Sequence, residues 1–463
     1  MTPKRTESRR CRLRIESLAY RGDGVGRDDR GMVVFVPDTA PGDVVEAIVE
    51  SERKGFARAR LLAVLDPSPD RIQPACALFG SRSCGGCQWQ HVAVSAQLAA
   101  KERAVRDALR HLTTAVRPIV APVPAHRWRR RARLHWTSEG PAGKTLLGYA
   151  ARRSHRLVDL QSCLQLELQL EAALRILRAN LIRELTGSGH VDLLVGGRGD
   201  VHVSLSGAGA AALRDRAQAT IGIAGIAGIV LHDRQEQAGL VVGSAVVDLA
   251  DGERPMLASA EVFAQASSSG NAALRRLVAH ALSGEGKRIL ELFAGSGNYT
   301  RDFVSESSVA MPAAGNLSSA RTTPEAARTG TASVLAVETQ ESAAALGDRN
   351  MMARGVAGRV QWLNEPVEAA TARLAGLTQA GGGEKLDAIV VNPPRTGLPP
   401  RVAADIVGLR AERIVYVSCD PPTLARDLAA LTKSDGYETA SVTPVDLMPQ
   451  TYHVESVVLL ERR

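Results

Sequence analysis

The chain is 463 residues long, 45% hydrophobic and only 3% aromatic, with a net charge of +8 and a pI near 9.4. That length exceeds what one core usually holds, so two or three domains are expected, packed mainly by aliphatic side chains. No apolar run reaches the roughly 18–20 residues of a membrane span, and "MTPKRTESRRCRLR" lacks the apolar centre of a signal peptide; the expectation is a cytoplasmic protein with reduced thiols, no membrane partner and an affinity for polyanions.

Residues 8–66 alternate short apolar runs with Gly, Pro and Asp turns, the rhythm of a five-stranded OB-like barrel. Such a module commonly binds oligonucleotides, although a plain accessory barrel reads equally well. Cysteines then cluster at 76, 84 and 87, and 92–112 has the period and composition of a helix. "HRWRRRARLHW" (126–136) holds five arginines and two tryptophans and no acid. Its alternation predicts a strand with one Arg-rich face, and arginines interleaved with indoles suit phosphate contact and base stacking.

Residues 145–260 read as mixed α/β, with a helix at 164–184 and strands near 191–205 and 239–249. The longest apolar run, "IGIAGIAGIVL" from Ile221, is too short and Gly-rich for a membrane helix. After residue 285 the apolar strands "RILELF", "SVLAVE", "LDAIVVN" and "RIVYVSC" alternate with helical stretches, predicting a parallel doubly wound sheet. "TASVTPVDL" and "HVESVVLLE" suit an antiparallel pair closing its edge. The segment 305–330, rich in Ser, Ala, Pro and Thr, reads as a disordered insertion.

Three strand ends carry chemistry. "ELFAGSGNYT" places a Gly-rich turn between a strand and a helix, and Glu338 ends the next strand. An acid there takes ribose hydroxyls, at a normal spacing once 305–330 is set aside. The turn has neither the pyrophosphate pattern nor a P-loop lysine, which favours S-adenosylmethionine. "NPPR" begins at Asn392; with Arg395 where amino-group methyltransferases carry an aromatic, that chemistry loses its stacking element. Cys419 sits where "RIVYVSC" stops and "DPPTLARDL" turns into a helix, the end of an α/β sheet that binds ligands. The spacing Cys76-x7-Cys84-x2-Cys87, with Cys163 beyond, points to four thiolates on zinc or iron–sulfur.

These motifs, with "GDGVGRDDRGMVVFVPDTAPGDVV", "CGGCQWQH", "LGYAARRSHRLVDLQSC" and "DLMPQTYHVE", resemble in order and over nearly the whole chain the RNA uracil-5-methyltransferases. The branch with a TRAM barrel and a [4Fe-4S] cluster is the nearest in pattern. The resemblance implies an α/β Rossmann-like methyltransferase domain (92–124 and 261–463), an N-terminal TRAM β-barrel (1–67) and a central α+β iron–sulfur and RNA-binding domain (68–91 and 125–260). It makes Cys419 the nucleophile and Glu455 the base. It places Gln265, Phe293, Asn298, Glu338 and Asn392 around S-adenosylmethionine, and assigns Cys76, Cys84, Cys87 and Cys163 to the cluster, with zinc the less favoured occupant. The implied partner is RNA, ribosomal before transfer RNA, and the implied state a monomer. Asp446, Thr451 and His453 are further site candidates.

Four departures from the family pattern stand out: a first cysteine gap two residues longer than usual, Asn392 for aspartate, Ser267 for asparagine, and Asp420 for asparagine beside the nucleophile. An extra carboxylate next to Cys419 would oppose its thiolate unless it points away. The rival to a uridine C5-methylating enzyme is a catalytically weak RNA-binding relative.

Overall fold

The computed structural model describes residues 9–80, 83–233, 239–250, 254–282, 287–304, 332–433 and 436–463; the insertion expected at 305–330 lies outside them. The first five strands, between Arg10 and Asp66, close into a barrel. Along Arg10–Leu18 the side chains alternate strictly at first, Cys11, Leu13 and Ile15 inward and Arg10, Arg12 and Arg14 outward. The period of two thus fills the barrel with aliphatic groups and leaves arginines on its surface. Gly26 is required where the first two strands meet, because a Cβ there would lie 2.2 Å from the Arg14 carbonyl oxygen.

A seven-stranded mixed sheet follows, built from residues between Arg131 and Gly243 and covered by the helices Leu168–Asn180 and Arg214–Thr220. The predicted helix at 164–184 is shorter than expected, its last turn replaced by a 3-10 turn at Ile182–Glu184. The strand Ile226–His232 was not anticipated. It is buried on both faces, so its apolar run carries no alternation to reveal it.

The Arg-rich stretch does not form the expected stacking surface. Only its end lies in a strand, Arg131–Glu139, and Trp128 and Trp136 are buried in the core. The Trp128 indole donates to Gln165 Oε1 at 2.7 Å and the Trp136 indole to the Ser206 carbonyl. The arginines are also turned to internal work. Arg127 pairs with Glu171, Arg130 donates to Ser268 Oγ and the Gln265 carbonyl, and Arg133 forks onto buried Asp192. Hydrophobic burial of two large indoles outweighs their use as exposed platforms.

The third sheet has the order Val360–Leu363, Ser333–Val337, Arg288–Leu292, Ala388–Val391, Arg413–Ser418, Glu455–Arg462, Tyr437–Val445. The first five strands run parallel and the last two antiparallel. The edge strand Val360–Leu363 was missed, being four residues long and only half-buried. The antiparallel pair closes the sheet as expected, with the chain's last strand inserted inside rather than at the margin. Among the described residues no helix is long and apolar enough to cross a membrane.

The helix Val94–Leu109 packs on this third sheet's outer strand and on the helix Pro421–Thr432. It buries Lys101 completely against Asp446, Nζ to Oδ1 at 2.6 Å, with a second bond from Nζ to the Met448 carbonyl. Burial pulls the lysine's pKa down and Asp446 pushes it back. Replacing Lys101 with Met leaves a buried carboxylate unpaired, and urea unfolding at pH 7 is expected to show a loss of about 3–5 kcal/mol. Adding Asp446→Asn should recover a substantial part of that loss.

Candidate active site

The parallel strands all end at one edge, and four of them deliver the expected site residues there. Phe293 and Asn298 follow Arg288–Leu292, Glu338 follows Ser333–Val337, Asn392 follows Ala388–Val391, and Cys419 follows Arg413–Ser418. Glu455 opens a strand of opposite direction, so its first residue lies at this same edge. Ser418 pairs with Ser456, which puts Cys419 and Glu455 on the next rung of the ladder. Adjacent strands thus hold a thiol and a carboxyl side by side.

Both groups are partly or wholly withdrawn from water. Burial pushes the Cys419 thiol up to about 11, Glu455 adds to the rise, and Arg395 opposes it. Burial also raises Glu455 to about 7, again opposed by Arg395. Arg395 is therefore the cation shared by the pair, a role its position after "NPP" did not disclose. It donates to His453 Nε2 at 3.3 Å. Burial and neighbouring cations, Arg395 first, push His453 down to about 3, so the imidazole stays a neutral acceptor. Asp446 is committed to Lys101, and the Thr451 hydroxyl donates to the Met448 carbonyl at 2.7 Å. Both serve the loop before Glu455 rather than the reacting edge.

Both oxygens of the Asp420 carboxylate are engaged, although its charge still adds to the rise of the Cys419 thiol. Its Oδ1 accepts from the Thr423 amide at 3.0 Å, capping the helix Pro421–Thr432, and its Oδ2 accepts from the Tyr20 hydroxyl of the barrel at 2.9 Å.

The turn after Arg288–Leu292 forms a cradle. Phe293, Gly295 and Gly297 all have positive φ, at 62°, 58° and 85°. A Cβ on Gly295 would meet nothing within 4 Å, so the turn is open towards a ligand. Glu338 accepts from the Gly295 amide at 2.9 Å and from the Gln340 amide at 2.8 Å, which fixes its carboxylate beside the turn. Asn298 is occupied in a reciprocal amide pair with Asn271, at 2.8 and 2.9 Å. Gln265 lies just before the helix Ser268–Ala281, its carbonyl held by Arg130.

Cys76, Cys84, Cys87 and Cys163 line one cavity of about 80 Å³, walled by Leu78, Phe79, Trp128, Tyr149 and Leu160 and flanked by Arg129. Burial pushes Cys87 up to about 12 and raises Cys84 and Cys163. The Gly86 amide points at Cys84 Sγ at 3.4 Å. Among the described residues, no three His, Cys, Asp or Glu side chains are grouped so as to hold a single metal ion. The same loop reaches the catalytic edge: the Gln88 and Trp89 amides both donate to the Gln450 carbonyl, and Thr451 lines the cavity.

Two family descriptions match the chain, the TRAM domain over residues 4–62 and tRNA (Uracil-5-)-methyltransferase over 370–463. An RNA methyltransferase of Synechocystis, itself uncharacterized, is 29% identical over 97% of this chain and 95% of its own. The 23S rRNA (uracil(1939)-C(5))-methyltransferase RlmD of Salmonella choleraesuis is 32% identical over 97% of this chain and 96% of its own. The chain belongs to the RNA uracil-5-methyltransferase family. Its fold is that of the Pyrococcus abyssi tRNA (uracil-54, C5)-methyltransferase, solved with S-adenosyl-L-homocysteine, at a TM-score of 0.70 and 22% identity over 97% of this chain and 99% of that one.

Two departures of this RNA uracil-5-methyltransferase from its family pattern have a common explanation. Ser267 and Asp420 are both helix N-caps, Ser267 Oγ accepting from the Gly270 amide at 3.2 Å. Ser, Asp and Asn cap about equally well, so each exchange preserves the local bond. Ser267→Ala is expected to lower stability by about 1 kcal/mol, and Ser267→Asn to change it by no more than a few tenths, read from denaturant midpoints.

Proposed function

We propose that the protein transfers a methyl group to C5 of a uridine in RNA, with Cys419 as nucleophile and Glu455 as base. The observation that carries this reading is their place one residue beyond the Ser418–Ser456 pair, at the edge where the cofactor cradle opens, with the Glu455 charge acting on the thiol. Uracil C5 is a poor nucleophile. Addition of the Cys419 thiolate to C6 breaks the C5–C6 double bond and moves electron density towards C5. S-adenosylmethionine, when bound at Phe293, Glu338, Asn392 and Gln265, supplies an electrophilic methyl on a sulfonium. Glu455 then accepts the C5 proton, the double bond re-forms, and the Cys419 thiolate leaves. Arg395 steadies the two anions in turn. The base must leave its stack to enter, which looped or single-stranded RNA allows at low cost.

The full-length likeness to RlmD supports ribosomal RNA as the substrate over transfer RNA. The outward arginines of the barrel suit the backbone of such a partner. The reading includes work in the cytoplasm as a monomer, and three domains: 1–67, 68–91 with 125–260, and 92–124 with 261–463. It also includes a [4Fe-4S] cluster on Cys76, Cys84, Cys87 and Cys163. Four thiols line one cavity, the ligand count of a [4Fe-4S] cluster. Arg129 would offset its negative charge, and Gly86 would donate to one of its thiolates. The cluster would supply a structural staple between the central domain and the loop before Glu455.

RNA carrying 5-fluorouridine tests the chemistry, because fluorine at C5 cannot leave as a proton and the adduct is trapped. A covalent protein–RNA adduct is expected with cofactor present, absent in Cys419→Ala. No adduct and no methylated uridine in any RNA would overturn the reading, and N-methylated adenine would replace it. The single-turnover rate should rise with pH through about 7, as Glu455 loses its proton, and Glu455→Gln should lose activity together with that step. For the cluster, protein purified without air should contain iron and sulfide and absorb in the visible. Cys163→Ser should lose most of both, whereas zinc without sulfide would refute the assignment.

A further inference from the structure

Tyr20 joins the barrel to the loops that carry the reacting pair. Tyr20 lies in the turn between the barrel strands Arg10–Leu18 and Gly24–Arg27. Its hydroxyl donates to Asp420 Oδ2 at 2.9 Å, immediately beside the nucleophile. Its ring meets Tyr452 edge-on, with centroids 5.4 Å apart, and Tyr452 packs against His453 at 4.2 Å. His453 in turn accepts from Arg395 and lies two residues before Glu455. One side chain of the barrel therefore bears on the loops of both reacting groups.

We propose that Tyr20 is a positioning residue, holding the Asp420 carboxylate away from Cys419 so that the thiol can ionise. This rests on the assignment of Cys419 as the nucleophile. Asp420 has two oxygens to place, and one is taken by the Thr423 amide. Without Tyr20 the other oxygen loses its donor, and the carboxylate can pivot about its remaining bond to the Thr423 amide towards the thiol. The charged groups facing Cys419 are already Glu455 and Asp420 against the single cation Arg395, so a closer approach of Asp420 would oppose the thiolate further. Burial and the Asp420 charge raise the Tyr20 phenol well above its ordinary range, so it remains a donor at every working pH. The barrel thereby acts on chemistry as well as on RNA capture.

The test uses the full chain and two readouts. Tyr20→Phe keeps the ring against Tyr452 and removes only the hydroxyl. Peptide mapping after iodoacetamide treatment across pH gives the ionisation midpoint of Cys419 itself. Single-turnover methylation and RNA binding give rate and affinity separately. Tyr20→Phe should raise the Cys419 midpoint and slow methyl transfer about tenfold, the scale of one hydrogen bond to a charged acceptor. RNA affinity should stay within about twofold, since a surface contact to RNA is not what is lost. Asp420→Asn retains the cap but carries no charge, and in that background Tyr20→Phe should leave the midpoint unchanged. An unshifted midpoint in Tyr20→Phe, or the same shift in the Asp420→Asn background, would overturn the proposal. Wild-type protein that methylates no uridine would overturn the functional reading instead, while the alkylation midpoints still decide the role of Tyr20.

Discussion

A reversal of strand direction is what the candidate site depends on. In a parallel sheet every strand presents only its carboxyl end to the ligand edge. A carboxylate at the start of a strand can reach that edge only if the strand runs backwards. Glu455–Arg462 does so, lodged between Arg413–Ser418 and Tyr437–Val445. The pairing of Ser418 with Ser456 then fixes the thiol and the carboxyl as neighbours by backbone hydrogen bonds, independent of any flexible side chain. What remains is to hold the loop between residues 446 and 454. That is the common task of the Lys101–Asp446 pair, the reciprocal Gln97–Gln450 amides and the bonds from the cysteine loop to the Gln450 carbonyl.

Electrostatics at the pair is a competition. Removal from water disfavours both anions, and Glu455 further disfavours the Cys419 thiolate. One guanidinium serves both, so their protons are best described as belonging to the pair rather than to either residue. The proposed reaction uses the two charges at different moments. The thiolate's charge passes into the uracil ring on addition, when Glu455 is needed as an anion. A site with one shared cation suits such a sequence better than one with two fixed counter-ions.

Most of this architecture was legible because it is written in strand ends and punctuation. Glycines after "ELFA", an acid after "SVLAV" and a cysteine before "DPP" mark the ends of apolar strands, and the α/β rule turns those ends into a site. What stayed hidden has physical reasons. Ile226–His232 is buried on both faces and Val360–Leu363 is short and half-exposed, so neither alternates. The indoles of "HRWRRRARLHW" read as stacking platforms, because one-dimensional spacing does not tell an inward Trp from an outward one. Tyr20 carries no motif of its own, and "NPPR" does not disclose what Arg395 faces. Their importance comes from the charge and the loop that the fold brings to them. The substitutions at 267 and 420 read as losses until each was seen as a cap.

The contact between Tyr20 and Asp420 spans 400 positions of the chain. It joins a turn of the barrel to the end of a strand in the third sheet. No nascent fragment that ends before the final strand can hold Glu455 beside Cys419, and none lacking the barrel can fasten Asp420. A chain that stops before Glu455–Arg462 has the barrel's outward arginines but no carboxyl beside Cys419. Such long-range closure is slow to form. Its consequence is that barrel and sheet complete the site together, since the sheet alone leaves the Asp420 carboxylate short of its Tyr20 donor.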